Sequence, residues 1–153
     1  MHQVDDVDRR LLRLLQDDAT LSTAELAERA GMTSASCWRR VERLERDGII
    51  LGHRVEIAPK ALGYEVEVSL RITLDKTQGN AFDVFISEAR KISQVNEIQT
   101  FLGRVDVRLN VLARDMAHYQ EIYRNQILAL PHIADIEALM LVANVKNSES
   151  LPL

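Results

Sequence analysis

Cysteine is nearly absent from this chain: Cys37 stands alone among 153 residues. A single thiol excludes an intrachain disulfide and any zinc site built from several cysteines, and it is typical of a reducing cytoplasm. No apolar run approaches the roughly 20 residues that a membrane span needs. The opening segment MHQVDDVDRR is too acidic and polar for a signal peptide. We therefore expect a cytoplasmic protein that does not enter a membrane.

Common signatures of catalysis are also missing. None of the four histidines (His2, His53, His118 and His132) has an acid or cysteine at catalytic or metal-binding spacing. The HExxH, GxSxG and phosphate-loop patterns do not occur. We therefore predict no catalytic residue, no metal and no cofactor. With 46% hydrophobic residues and no low-complexity run, the chain should form one ordinary globular domain or two small ones.

The most informative segment of the sequence is residues 21–47, whose pattern predicts two short helices around a glycine turn. Ser22 and Glu25 form a capping box at the start of the first helix. Gly31 can take the positive φ that ends it. Thr33 or Ser34 then caps a second helix, which continues to about residue 48. This is the pattern of a helix-turn-helix.

The second of these helices separates a core stripe from an arginine-bearing face. At about 100° per residue, Cys37, Val41 and Leu44 fall together, and small residues followed by arginines fall opposite. Small residues at the start suit entry into a major groove, while arginines bind guanine edges or phosphates. The alternative is an ordinary solvated helix face. The predicted DNA-binding residues are Ser34, Ala35, Ser36, Arg39, Arg40, Arg43 and Arg46, with Arg54 from the segment that follows.

The net charge of −4 does not by itself indicate a nucleic-acid-binding protein. Locally, however, residues 36–54 hold five arginines against three acids. One such module would bind DNA modestly, so we expect several to act together. A preceding helix capped by Asp5 would close a three-helix core, and residues 49–51 and 53–57 predict two short strands of a wing around Gly52.

From Glu65 the hydrophobic period changes to two, which predicts a strand to Leu74 with one buried face. Similar segments, KISQVNEIQT and LALPHIADIEA, then follow two predicted helices, so the order is βαββαβ, a ferredoxin-like arrangement. The predicted fold is α+β, with a winged helix-turn-helix at 1–58, a hinge at 59–64 and the ferredoxin-like domain at 65–153. Its remaining predicted elements are a helix over 80–91 with Phe82, Phe85, Ile86 and Ala89 inward, strands over 97–102, 105–111 and 133–142, and a helix from Asp115 to Pro131.

One face of the predicted sheet lacks a helical cover. It carries polar residues mixed with Leu139 and Leu141: Glu65, Glu67, Arg71, Arg108 and Asn110. This face could be solvated or could meet a second copy with charges paired. We favour the second, because a helix-turn-helix normally binds two half-sites as a dimer.

The chain resembles the Lrp/AsnC, or feast/famine, transcription regulators over residues 4 to about 150. The resemblance is carried by DDVDRRLLRLLQDDATLSTAELAERAGMTSASCWRRVERLERDGIILGH, LGRVDVRLNVLARDM and LPHIADIEALMLVANVK. It implies a DNA-binding N-terminal domain and a C-terminal domain that dimerises, assembles dimers into octamers and binds an amino acid between dimers. Cys37-Trp38 and the tail SESLPL resemble the branch that responds to cysteine, which makes cysteine the first candidate effector.

The family's Gly-x-x-Asp turn is met by Gly103 and Asp106. Backbone N–H groups of such a turn can hold a carboxylate, and a nearby acid can hold an ammonium group, as a free amino acid requires. Alternatively, the turn is a plain hairpin and the acid is solvated or bridges subunits. Arg104, where relatives often have an acid, would pair with the effector carboxylate or with a neighbouring subunit. The resemblance implies these effector-binding positions: Leu102, Gly103, Arg104, Val105, Asp106, Met116, Leu139, Met140 and Leu141.

Two other functions are compatible with parts of this pattern. Some siroheme decarboxylases resemble the same two-domain layout, but their DNA-reading helix would be degraded, whereas Ser36, Arg39 and Arg43 are present here. The other is an amino-acid sensor that acts through protein partners. The interpretation we carry forward is an amino-acid-responsive regulator with double-stranded DNA, a free amino acid and further copies of itself as partners.

Overall fold

The computed structural model describes residues 4–146 and 150–153. His2 and the first two residues of the SESLPL tail lie outside them. The chain divides into two compact units, one made of residues 1–56 and 146–153 and the other of residues 57–145. No helix in the described part is long and apolar enough to cross a membrane.

The first unit contains three helices: α1 (Asp6–Asp17), α2 (Thr23–Ala30) and α3 (Ser34–Arg46). Their starts are the ones that the sequence predicts. Asp5 caps α1, Ser22 and Glu25 form a capping box on α2, and the Thr33 hydroxyl accepts a hydrogen bond from the backbone of α3. Gly31 ends α2 with φ 71°. A small core joins the three helices, formed by Leu11, Leu26, Ala27, Ala30 and Cys37.

The predicted strands of the wing are wrong, because residues 49–57 form no strand. The β-branched and apolar residues that suggested strands are largely exposed: Leu51 is 94% and Val55 is 86% exposed. A two-stranded ribbon is marginal unless it buries one face. These residues have a strand-like composition without the burial that would stabilise a strand.

The tail after residue 149 packs within the first unit and is fixed by polar contacts to α1. The Gln16 amide donates to the Leu151 carbonyl at 3.3 Å and accepts from the Leu151 N–H at 2.6 Å. The Arg13 guanidinium donates to the Leu153 carbonyl at 3.0 Å. The sequence placed this tail in the C-terminal domain and the hinge at 59–64, whereas the division into compact units falls after Glu56 and again after Val145.

The second unit has the βαββαβ order predicted from the sequence, and its four strands pair in the order β2-β3-β1-β4, all antiparallel. A short 3₁₀ turn precedes β1, and α5 continues as one π-helical turn, Tyr123–Ile127. The element bounds are β1 Val66–Leu74, α4 Ala81–Ala89, β2 Val95–Thr100, β3 Val107–Ala113, α5 Met116–Ile122 and β4 Ile133–Met140.

The core of this unit lies between the sheet and the two helices. Alternate residues of β1 and β3 are fully buried there, as the two-residue period predicts. On α4 the inward stripe is Ala81, Phe85 and Ala89, at four-residue steps. The prediction that Phe82 points inward is wrong: its side chain is 42% exposed, because a stripe that begins at Ala81 turns the next residue outward.

Candidate DNA-binding and effector sites

The exposed face of α3 carries the small residue and two of the arginines that the sequence predicts to bind DNA. Ala35, Arg39 and Arg46 are exposed, and Ser36 is half-buried. The Arg39 Nε–H donates to the Ala35 carbonyl one turn earlier, at 3.3 Å, which holds the base of this side chain against its helix. Arg54 is also exposed, in the irregular segment after the helix. These residues are the accessible part of the predicted DNA surface.

Arg40 and Arg43 instead lie at the junction of α3 with α1. Arg40 Nη1 is 2.8 Å from an oxygen of Asp5 and 2.8 Å from Asp8 Oδ1. Arg43 Nη2 binds the other oxygen of Asp8, whose side chain is fully buried. The Asp8 backbone N–H and then Arg40 lower the pKa of Asp5 to about 2, and the two carboxylates raise the pKa of Arg40. The ion pairs give these two arginines a packing role.

Sequence reasoning missed Asp8, although a signal was present. Val4, Asp8 and Leu11 are spaced as one stripe of an amphipathic helix, so Asp8 is an acid on the apolar face of α1. A carboxylate buried in that position requires cationic or N–H partners. A helix wheel of α3 alone placed Arg43 opposite the core, because it could not include a partner from another helix.

Asp106, predicted to hold an effector ammonium group, is buried and already bound within its own unit. Its Oδ2 accepts from the Leu74 backbone N–H at 2.9 Å, and its Oδ1 lies 2.6 Å from Lys76 Nζ. Lys76 first, and the Leu74 N–H next, lower the pKa of Asp106. Its backbone joins Ile72 and Phe101 at 2.9 Å each. Asp106 therefore fastens the turn between β2 and β3 to the end of β1.

The rest of that turn is open. Leu102, Gly103 and Arg104 are exposed and Val105 is half-buried. The Arg104 carbonyl accepts from the Thr73 hydroxyl at 3.0 Å, while the guanidinium has no partner among the described residues. The Lys76 side chain is 66% exposed, so a ligand could displace it from Asp106 without disturbing the core.

The other predicted effector positions lie at the opposite end of the sheet. Met116 is the first residue of α5 and follows the last residue of β3 by three positions. Asp106 immediately precedes the first residue of β3. Six residue steps along β3 span about 20 Å. Met140 pairs with Val68, near the start of β1, and Met116, Leu139, Met140 and Leu141 are all exposed. One copy of the chain therefore does not bring the predicted effector residues together.

The face of the sheet without helices has its charges paired internally. Arg71 lies 3.5 Å from Glu137, and Arg108 lies 2.7 Å from Glu97. The Asn110 amide donates to Glu67 at 3.0 Å. These groups therefore have partners within one copy, and charge pairing between copies across this face stays a prediction.

Comparison with known proteins identifies both units. A winged helix-turn-helix DNA-binding model matches residues 4–50, and the Lrp/AsnC ligand-binding domain model matches residues 67–151. The chain belongs to the Lrp/AsnC family. The two matches confirm the family and the α+β fold expected from the sequence. Members of the Lrp/AsnC family are transcription regulators.

Relatives within the Lrp/AsnC family match over almost their whole length. The chain is 30% identical over 150 residues to the transcriptional activator DecR of Escherichia coli K12, covering 98% of this chain and 99% of that protein. It is 31% identical to the leucine-responsive regulatory protein of the same strain, covering 97% and 90%. E. coli AsnC has the same fold with a TM-score of 0.85 and 27% identity, covering 95% and 97%. A Neisseria meningitidis regulator in complex with L-methionine aligns with a TM-score of 0.91 at 24% identity, covering 98% and 97%.

The residues that suggested the cysteine-responsive branch of the family behave differently from one another. Cys37 is fully buried among the three helices, as its wheel position predicts, and burial raises the pKa of its thiol. Trp38, by contrast, is 55% exposed. Cys37 is therefore part of the core, and Trp38 extends the accessible surface of α3.

Proposed function

We propose that this Lrp/AsnC protein is an amino-acid-responsive transcription regulator that binds operator DNA through α3. It acts as a dimer-based oligomer in the cytoplasm, without a catalytic step, and its effector binds between dimers. The observation that carries the proposal is the separation of the predicted effector residues. With Asp106 and Met116 about 20 Å apart along β3, a pocket containing both needs more than one copy of the chain.

Two copies in contact could combine the turn at Gly103–Asp106 of one with the Met116 and Leu139–Leu141 surface of another. The turn would supply N–H donors and the Asp106 carboxylate, and the other surface would supply apolar side chains. An effector bound this way changes how dimers pack, which alters the spacing of the DNA-binding units. The coupling must be reciprocal, so DNA changes effector affinity by the same factor.

The effector is tested by a thermal-shift screen of the purified protein against the twenty amino acids. Binding to the folded state raises Tm by mass action. Cysteine is the first candidate, and the names of relatives add leucine and methionine. A rise with one amino acid that is lost in Met140→Asp supports a pocket built from the strand surface. A lack of response to all twenty, in protein that binds its own promoter, argues against an amino-acid effector.

The DNA surface is tested by Arg39→Ala combined with Arg46→Ala, measured by fluorescence anisotropy on the protein's own promoter. Removing two phosphate or base contacts should weaken binding and flatten the dependence of log K on log salt by about 2. Arg124→Ala removes an exposed arginine from the second unit and serves as the control. Unchanged DNA affinity in the double variant would favour a sensor that acts through protein partners.

A further inference from the structure

A cavity of about 380 Å³ opens in the second unit, at the end of β3 away from Asp106. Its polar lining comes from separate parts of the unit: Tyr64 before β1, Gln94 and Asn96 around the start of β2, Arg114 after β3 and His118 on α5. None of these residues belongs to the predicted effector positions. The convergence of polar side chains from four places along the chain distinguishes this cavity from a groove along a single helix.

Three side-chain acceptors in the lining are already used. The Gln94 side-chain oxygen accepts from the Ser93 hydroxyl at 3.0 Å, and the Asn96 side-chain oxygen accepts from the Asn110 amide at 2.9 Å. His118 Nδ1 accepts from the Arg114 backbone N–H at 3.2 Å. With Nδ1 as an acceptor, the neutral imidazole carries its proton on Nε2.

The donors of the same residues remain available. Four donor groups have no hydrogen-bond partner within residues 4–146 and 150–153. They are the side-chain NH₂ groups of Gln94 and Asn96, the Nε2–H of His118 and the guanidinium of Arg114. No aspartate or glutamate lines the cavity. Asp115, next to Arg114 in the sequence, has its carboxylate on the His118 backbone N–H at 2.7 Å, where it caps α5, and Glu67 accepts from the Asn110 amide at 3.0 Å.

We propose that this cavity is a binding site for a small anion that carries a carboxylate or phosphate group. A set of N–H donors that includes one guanidinium is complementary to an oxyanion, and charge-assisted hydrogen bonds are the strong ones. The same set does not match a zwitterionic amino acid, because among the described residues the lining has no carboxylate to pair with its ammonium group. The site therefore takes a ligand of a different class from the proposed effector and does not depend on the proposed function.

The experiment is isothermal titration calorimetry of the full chain with sodium phosphate and, separately, with sodium succinate, at ionic strength held constant with NaCl. Arg114→Gln removes the one arginine or lysine that lines the cavity among the described residues while keeping a polar side chain. Arg124→Gln is the matched control, because it removes an exposed arginine of the same unit that does not line the cavity. Circular dichroism of both variants verifies that they fold.

We expect at least one of the two anions to bind with about 1:1 stoichiometry per chain. Arg114→Gln should lower its affinity roughly tenfold, the loss expected for a charged hydrogen bond, and Arg124→Gln should leave it unchanged. A phosphate-only response identifies a phosphorylated ligand, and a succinate-only response a carboxylic acid. Absence of binding by both anions, or equal losses in the two variants, would overturn the proposal.

Discussion

In the part of the chain that the structure describes, each unit buries one carboxylate, Asp8 in the first and Asp106 in the second, and the two are held in different ways. Asp8 is fully buried and bound by the side chains of Arg40 and Arg43. Asp106 is held by the Leu74 backbone N–H and by Lys76, whose side chain is 66% exposed. The first is a closed structural ion cluster. The second keeps one partner that water or a ligand can replace.

The difference determines which of the two buried carboxylates can release a partner at a low free-energy cost, as a signalling role would require. Releasing Asp8 from its arginines would leave charge buried between helices, a cost of several kcal/mol. Releasing Lys76 from Asp106 moves an exposed ammonium group into water, while the Leu74 N–H still satisfies the other carboxylate oxygen. Asp106 is therefore able to change partner, whereas Asp8 is not.

The largest expected effect is that of Asp8→Ala. Removing one member of a buried ion cluster leaves Arg43 without a counter-charge and Arg40 with Asp5 alone, so the first unit should lose about 3–5 kcal/mol of stability. Urea denaturation followed by Trp38 fluorescence measures it, because Trp38 lies in that unit. Asp6→Ala, at an exposed position of the same helix, is the control. A loss below 1 kcal/mol would mean that Asp8, like Asp106, is held by partners that can be replaced.

Asp106→Ala should cost less, about 1–3 kcal/mol, because its main structural consequence is an unsatisfied Leu74 N–H. Response to the effector should be lost while basal DNA binding persists. Differential scanning calorimetry and promoter binding with and without effector measure the two quantities. Loss of basal DNA binding together with the response would show that Asp106 maintains the assembly and does not hold the ligand.

The smallest expected effect is a difference in acid sensitivity that Asp5 contributes. Its pKa is lowered from 3.8 to about 2 in the folded protein, mainly by the Asp8 backbone N–H and then by Arg40. A group with a depressed folded pKa stabilises the fold above its unfolded pKa and loses that contribution as pH falls through the folded pKa. As the pH falls from 3.8 to about 2, the free energy of unfolding of the first unit should therefore decrease more steeply in the wild-type protein than in the Asp5→Asn variant. Parallel acid titrations of Trp38 fluorescence would contradict this.

The sequence predicts local structure well where a few neighbouring residues decide it. The capping box of Ser22 and Glu25, the φ of Gly31 and the burial alternation of β1 all follow from short-range patterns, and the structure has each of them. Phe82 was misplaced because helical spacing groups it with Phe85, Ile86 and Ala89, and spacing alone does not indicate which members of such a stripe the sheet covers.

Local sequence patterns could not predict contacts between residues that are far apart in the sequence. Arg43 has the same wheel position as Arg39, yet one binds Asp8, 35 residues away in the sequence, and the other is exposed. Similarly, an acid after a glycine turn fits a ligand site, but only the fold reveals that Asp106 is bound to Leu74, 32 residues away. The segment 49–57 has strand-forming residues and lacks a partner strand among the described residues.

The contacts of Gln16 and Arg13 with Leu151 and Leu153 have a topological consequence. Because the first unit contains residues on both sides of residues 57–145, the second unit is an insertion within the first rather than an appendage to it. A protease cut in the exposed segment 57–63 would leave an N-terminal fragment still held by hydrogen bonds to the tail of the remaining polypeptide. The nicked protein would migrate as two fragments in denaturing gels and yet elute as one species under native conditions.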